Sequence, residues 1–124
     1  PPMHRLVITA KLAPGTTHQQ IARFISQNRP AMQKGGATGM MIRCGGTLQI
    51  ILEGPEAVTQ ATASAARSSG LFTAAKAAGA VPIRFRAFDK ICLAYAKPEH
   101  LGGSLRREIG LLTGLELPQQ PLAA

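Results

Sequence analysis

Acidic residues are scarce. In 124 residues, 6 Asp plus Glu stand against 14 Lys plus Arg, a formal charge of +8. Only 16% of residues are charged, so the imbalance comes from missing acids and not from an abundance of bases. The first acid is Glu53. Arg5, Lys11, Arg23, Arg29, Lys34 and Arg43 precede it with nothing of opposite sign. A second acid-free stretch, 57–88, carries Arg67, Lys76, Arg84 and Arg86. Aromatics are scarce as well: four Phe, one Tyr and no Trp. That leaves too few rings for the stacking platforms that bind single-stranded nucleic acid. Cys44 and Cys92 make neither a disulfide framework nor a zinc site, and read as thiols in a reducing compartment. His4, His18 and His100 lie far apart, with no Cys or carboxylate at ligand spacing, so no metal centre is expected. No apolar run approaches the roughly 20 residues of a membrane span, and no basic-then-apolar leader is visible. A cytoplasmic location is expected.

What is present suits one small domain, 3–97, with an extension at 98–124. Hydrophobic residues make up 45% of the chain, enough for a core. Residues 4–10 alternate as a strand, with Leu6 and Ile8 on one face and Arg5, Val7 and Thr9 on the other. Thr16 and Thr17, each with a Gln three residues on, have capping-box spacing. Ile21, Phe24 and Ile25 then give an amphipathic helix, expected to end or kink before Pro30. Residues 38–43 and 47–52 read as a hairpin across Gly45-Gly46. Pro55 opens a second helix, to about 67, that is rich in Ala and Thr, with Glu53 and Glu56 as cap and dipole partners. Residues 72–80 are ambiguous: alanine favours helix, element order favours strand. Residues 81–86 lead into a last strand at 90–95, and a short helix is expected at 104–112. The order β-α-β-β-α-β-β predicts an α+β, ferredoxin-like sandwich: a mixed sheet with two helices on one face.

Four segments carry a resemblance. Leu48-Gln49-Ile50-Ile51-Leu52-Glu53-Gly54-Pro55 resembles the LQ-x-LEGP segment of BLUF domains, the blue-light sensors using FAD. Residues 4–10 look like that family's first strand. Arg29 with Thr38-Gly39 matches its Arg and ITG spacing, and Arg86-Ala87-Phe88 its R-x-F. The resemblance spans about 3–95. It implies a flavin held between the two helices, hydrogen-bonded by a Tyr, an Asn and a Gln. The Tyr position falls on Ile8, the Asn position on Met32 and the polar position before it on Ala31. The Gln position falls on Gln49, and the Trp and Met positions of the last strand on Ile91 and Leu93. Gln49 is thus the one polar residue retained. The DPRH segment near the FAD phosphates is replaced by Ser69-Gly70-Leu71-Phe72.

A buried flavin needs its carbonyls and ring nitrogens paired, and aliphatic Ile8 donates neither proton nor electron. Light sensing of the family type is therefore expected to be lost, with no bound cofactor; FAD is the alternative. The vacated space is expected to be ordinary core, or else a pocket for another ligand. No catalytic residues and no metal emerge, so an enzyme is not expected. The chain reads as a small regulatory or adaptor protein in signalling. Its basic surface, with Arg84, Arg86 and Lys90 named, docks on an acidic protein partner, and it self-associates as a homo-oligomer through the C-terminal helix. Nucleic-acid binding by the same cations is the rival reading.

Overall fold

A computed structural model of the chain describes residues 2–113, less the side chains of Cys44, Leu112 and Thr113. The rest of the extension, 114–124, and the Cys44 thiol lie outside the described residues. In chain order the elements are β1 (Met3–Leu12), α1 (His18–Gly35), β2 (Thr38–Cys44), β3 (Thr47–Pro55) and α2 (Glu56–Ser68). Then follow β4 (Phe72–Ala77), β5 (Val81–Ile83), β6 (Cys92–Ala96), a 3-10 turn (Pro98–His100) and α3 (Gly103–Thr113). The strand order is β4-β1-β3-β2-β6, with β5 pairing the same edge of β1 as β4. β6 runs parallel to β2 and the other pairings are antiparallel, so the sheet is mixed and the class is α+β, ferredoxin-like.

Alternation on β1 sends Leu6, Ile8 and Ala10 to the side of α1 and α2. Leu48, Ile50 and Leu52 of β3 do the same, and the two sets meet Ile21, Phe24, Ile25 and Met32 of α1. The start of α1 is the expected capping box: the Gln20 N–H donates to Thr17 Oγ1 at 3.2 Å, and the Thr17 N–H to Gln20 Oε1 at 2.9 Å. Pro30 does not end this helix, which runs on to Gly35. An interior proline costs about 3 kcal/mol. That cost is offset because Met32, seven residues past Ile25 on the same stripe, is fully buried. Gly36 then closes the helix in the left-handed region, at φ 79°.

α2 buries only small groups, Thr59, Thr62, Ala63 and Ala66. The Thr59 and Thr62 hydroxyls donate to the carbonyls of Glu56 and Val58, so buried oxygens are satisfied inside the helix. Small residues also let the helices approach: a Cβ on Gly35 would meet Val58 Cγ2 at 2.7 Å. The ambiguous segment after α2 is a strand. Pairing with β1 and burial of Phe72, edge-to-face on Phe24 with centroids 6.1 Å apart, override the helical preference of its alanines. β5, which the sequence does not separate from the run-in to the last strand, is an edge strand on β1.

The other face of the sheet has its own core. Met40, Ile42, Ile51, Phe88, Leu101 and Ile109 form a second buried cluster, joined by Leu105. The 3-10 turn and α3 therefore cover the face that α1 and α2 leave open, and Ile109 of α3 is fully buried there.

Candidate functional site

The sheet face beneath α1 and α2 is where the resemblance puts a ligand. Ile8, Met32 and Leu93 come together there in one buried cluster, each 1% exposed or less. Ile50 joins them from β3.

The other three expected positions lie elsewhere. Gln49 is on the opposite face of the sheet, where its Oε1 accepts from the Thr9 hydroxyl at 2.9 Å. In LQ-x-LEGP the Glu stands three positions after the Gln, whereas Glu53 stands four positions after Gln49. In a strand one extra residue reverses every side chain that precedes it. The expectation that Gln49 is retained among the helix-side residues is thus corrected: Ile50 holds that place. Ala31 is exposed on α1. Ile91 packs against the second core, behind the sheet.

Ile91 and Leu93 part company because β6 is bulged. Its register with β2 shifts between Gly39 and Met40, and Leu93 has φ 61°. Cys92 and Leu93 consequently both pack on the helix side, whereas Ile91 and Ala94 pack behind. Arg29 fastens this irregularity to α1: Nε donates to the Cys92 carbonyl at 3.0 Å and Nη2 to the Leu93 carbonyl at 3.3 Å. Burial pushes the Cys92 thiol above its ordinary pKa of 9.0, partly opposed by the charge of Arg29.

Between α1 and α2 lies an open cleft of about 380 Å³. Gln20, Arg23, Gln27 and Asn28 line it from α1, and Ser68 and Ser69 from the end of α2. Asn28 is partly committed, since its amide donates to the Phe24 carbonyl at 2.8 Å. At the first residue of α1, the Arg43 guanidinium reaches the Tyr95 hydroxyl at 3.4 Å and His18 Nε2 at 3.3 Å. Among the described residues no group of His, Cys, Asp or Glu is placed to hold a metal ion.

Behind the sheet the chain's first acid is a hub. Glu53 is fully buried and pairs with Arg5, Nη2 to Oε2 at 2.7 Å. Its carboxylate also accepts the backbone N–H groups of Ala87 at 3.0 Å and Phe88 at 2.9 Å. Glu53, expected as a helix cap, sits on β3 opposite Arg5 and is instead the anchor of the segment after β5. Arg86 is similarly inward: it donates to Gly36 O at 2.7 Å, Thr38 Oγ1 at 2.9 Å and Glu53 O at 3.3 Å. Of the three cations named for docking, Arg84 and Lys90 are exposed and Arg86 is half-buried in this clamp. Sequence reasoning missed the hub, although Glu53 after five consecutive strand residues, Leu48 to Leu52, is a signal for a buried acid.

No family model matches the chain, and no curated protein matches its sequence. Solved structures do match. The dark-state structure of BlrB, a BLUF protein, superposes with TM-score 0.70 and 16% identity, over 91% of this chain and 80% of that one. BlsA in its photo-activated state gives 0.72 and 13%, over 95% of this chain and 99% of that one. A bacterial light-regulated adenylyl cyclase gives 0.71 and 18%, over 90% of this chain but 33% of that one. The chain has the fold of BLUF domains. No helix among the described residues is long and apolar enough to cross a membrane.

Proposed function

We propose that this chain is a divergent BLUF-type signalling module that works by protein contact and has lost flavin photochemistry. One observation carries the reading. The buried side chains at the flavin positions are Ile8, Met32, Ile50 and Leu93, and none carries a hydrogen-bond donor. Each flavin carbonyl or ring nitrogen buried against them without a partner would cost about 1–3 kcal/mol. Ile8 also removes the phenol that the resemblance calls for, so no proton and electron donor stands there. The residues present do not fit a flavin held in the family's way. The module then acts by occupancy, with no covalent step and no catalytic residue.

The docking surface of this reading keeps Arg84 and Lys90 as its free cations, with Arg86 a positioning residue beneath them. Arg5, Arg29, Arg43 and Arg86 are bonded within the chain, which weakens the case for a phosphate-binding surface. Ile109 and Leu105 of α3 are committed to the second core; Leu111, 86% exposed, is left for self-association of the expected homo-oligomer. A cytoplasmic location accompanies this reading. Titration of the purified protein with FAD, followed by quenching of flavin fluorescence, tests it. No saturable quenching is expected, whereas stoichiometric binding overturns the loss of the flavin site.

The cleft between α1 and α2 favours a second reading, a sensor of a polar ligand. Its donors are Arg23 and the amides of Gln20 and Gln27, and no acid lines it. Saturable FAD binding that leaves the absorption spectrum unchanged by light would favour it.

A further inference from the structure

Phe85 is 77% exposed, in a chain with only four Phe, and Val81 four residues earlier is 55% exposed. The backbone that carries Phe85 is not loose. Its carbonyl accepts from Arg5 Nη2 at 3.4 Å. The next residue, Arg86, is clamped to Gly36, Thr38 and Glu53, and the two after it are tied to the Glu53 carboxylate. Phe88 is buried in the second core. An exposed aromatic on an anchored backbone has already met much of the ordering cost of binding.

The charges around it have one predominant sign. Arg84 and Lys90 are exposed in the same segment, and Lys34 sits two residues before the Gly36 carbonyl that holds Arg86. The partners of Arg86 are carbonyls, a hydroxyl and the Met3 sulfur. Asp89 is the exposed acid of the segment, and the buried Glu53 carboxylate beneath it is paired with Arg5.

Resting on the contact reading above, we infer that Phe85 is the anchor of a docking surface for an acidic segment of a partner protein with an apolar side chain at its centre. Arg84 and Lys90 flank the anchor and choose the sign of the partner. A second copy of this chain would bring like charges together. An anionic membrane is recognised by clusters of about 4–8 cations, more than this segment offers.

Selection of a random peptide library on the wild-type protein, with counter-selection on Phe85→Ser, tests the inference. Selected peptides are expected to carry Asp or Glu around an apolar residue. Synthetic versions should bind the wild type about tenfold or more tighter than Phe85→Ser or Arg84→Glu, at unchanged melting temperature. They should shift the amide resonances of residues 81–90. Peptides that bind equally well to the variants, or that shift resonances elsewhere, overturn the Phe85 surface and leave the contact reading standing. No enrichment at all overturns both. Co-sedimentation with phosphatidylserine–phosphatidylcholine vesicles that is lost in Phe85→Ser, or a dimer dispersed by it, also overturns the assignment.

Discussion

Glu53 and Arg86 hold each other's surroundings. The Arg86 guanidinium donates to the Glu53 backbone carbonyl at 3.3 Å, while the Glu53 carboxylate accepts the N–H groups of Ala87 and Phe88, the residues that follow Arg86. The segment between β5 and β6 is thereby fixed to β3 by two reciprocal attachments. A buried carboxylate is tolerable only with such partners, and here it has Arg5 and two amides. Replacing it by Gln removes the charge that faces Arg5 across β1 and β3. Glu53→Gln should therefore lower stability by about 3 kcal/mol or more, and the thermal midpoint by on the order of 10 °C. Arg86→Ala should cost less, about 1–3 kcal/mol, because its acceptors lie nearer to water. Chemical denaturation of the two variants checks the ranking; an unaffected Glu53→Gln would remove the hub.

The helix-side core at Ile8 is filled. Ile8→Tyr, which restores the phenol at that position, must force a larger side chain with a hydroxyl among Met32, Ile50 and Leu93. Overpacking of this kind costs about 1–3 kcal/mol. Urea denaturation should report that loss, and the variant should bind no FAD. A neutral or stabilising effect would mean that space for a ring exists beneath the helices.

Leu93 gives a more local test. A left-handed residue other than glycine is strained by about 1–3 kcal/mol. Leu93→Ala keeps the strain and opens a cavity; Leu93→Gly opens nearly the same cavity and relieves it. The glycine variant should be at least as stable as the alanine variant, the reverse of the usual order in a strand. A clearly less stable glycine variant would contradict the bulge.

Cys92 supplies a pH dependence. Its folded pKa is raised, so the unfolded chain loses the thiol proton first, near pH 9. The stabilisation is complete below that pH and is lost as pH rises towards the folded value. In a Cys44→Ser background, stability should fall above about pH 9 more than in Cys44→Ser/Cys92→Ser. Alkylation of Cys92 should be slow at neutral pH. Identical pH profiles for the two proteins would contradict the burial of the thiol.

Periodicity and cap chemistry read well in this chain because they are local. The Thr17–Gln20 box, the faces of β1 and the β2–β3 hairpin all follow from neighbours in sequence. What escaped reading depends on departures from the period or on distant partners. One extra residue between Gln49 and Glu53 turns Gln49 to the wrong face, and a bulge separates Ile91 from Leu93. Pro30 is tolerated because of a methionine whose burial is set by the sheet. The shortage of acids, too, has a structural side. Arg29 and Arg86 are paired with backbone carbonyls at irregular chain segments, so these cations need no carboxylates. Their roles require the topology that brings β6 and the β5–β6 segment to α1 and β3.

The central claim, a BLUF fold without flavin photochemistry, is tested most directly by a light-minus-dark absorption spectrum of the purified protein after incubation with excess FAD and removal of the unbound fraction. A flat difference spectrum and no flavin band are expected. A stoichiometric flavin band that shifts reversibly to the red under blue light would contradict it.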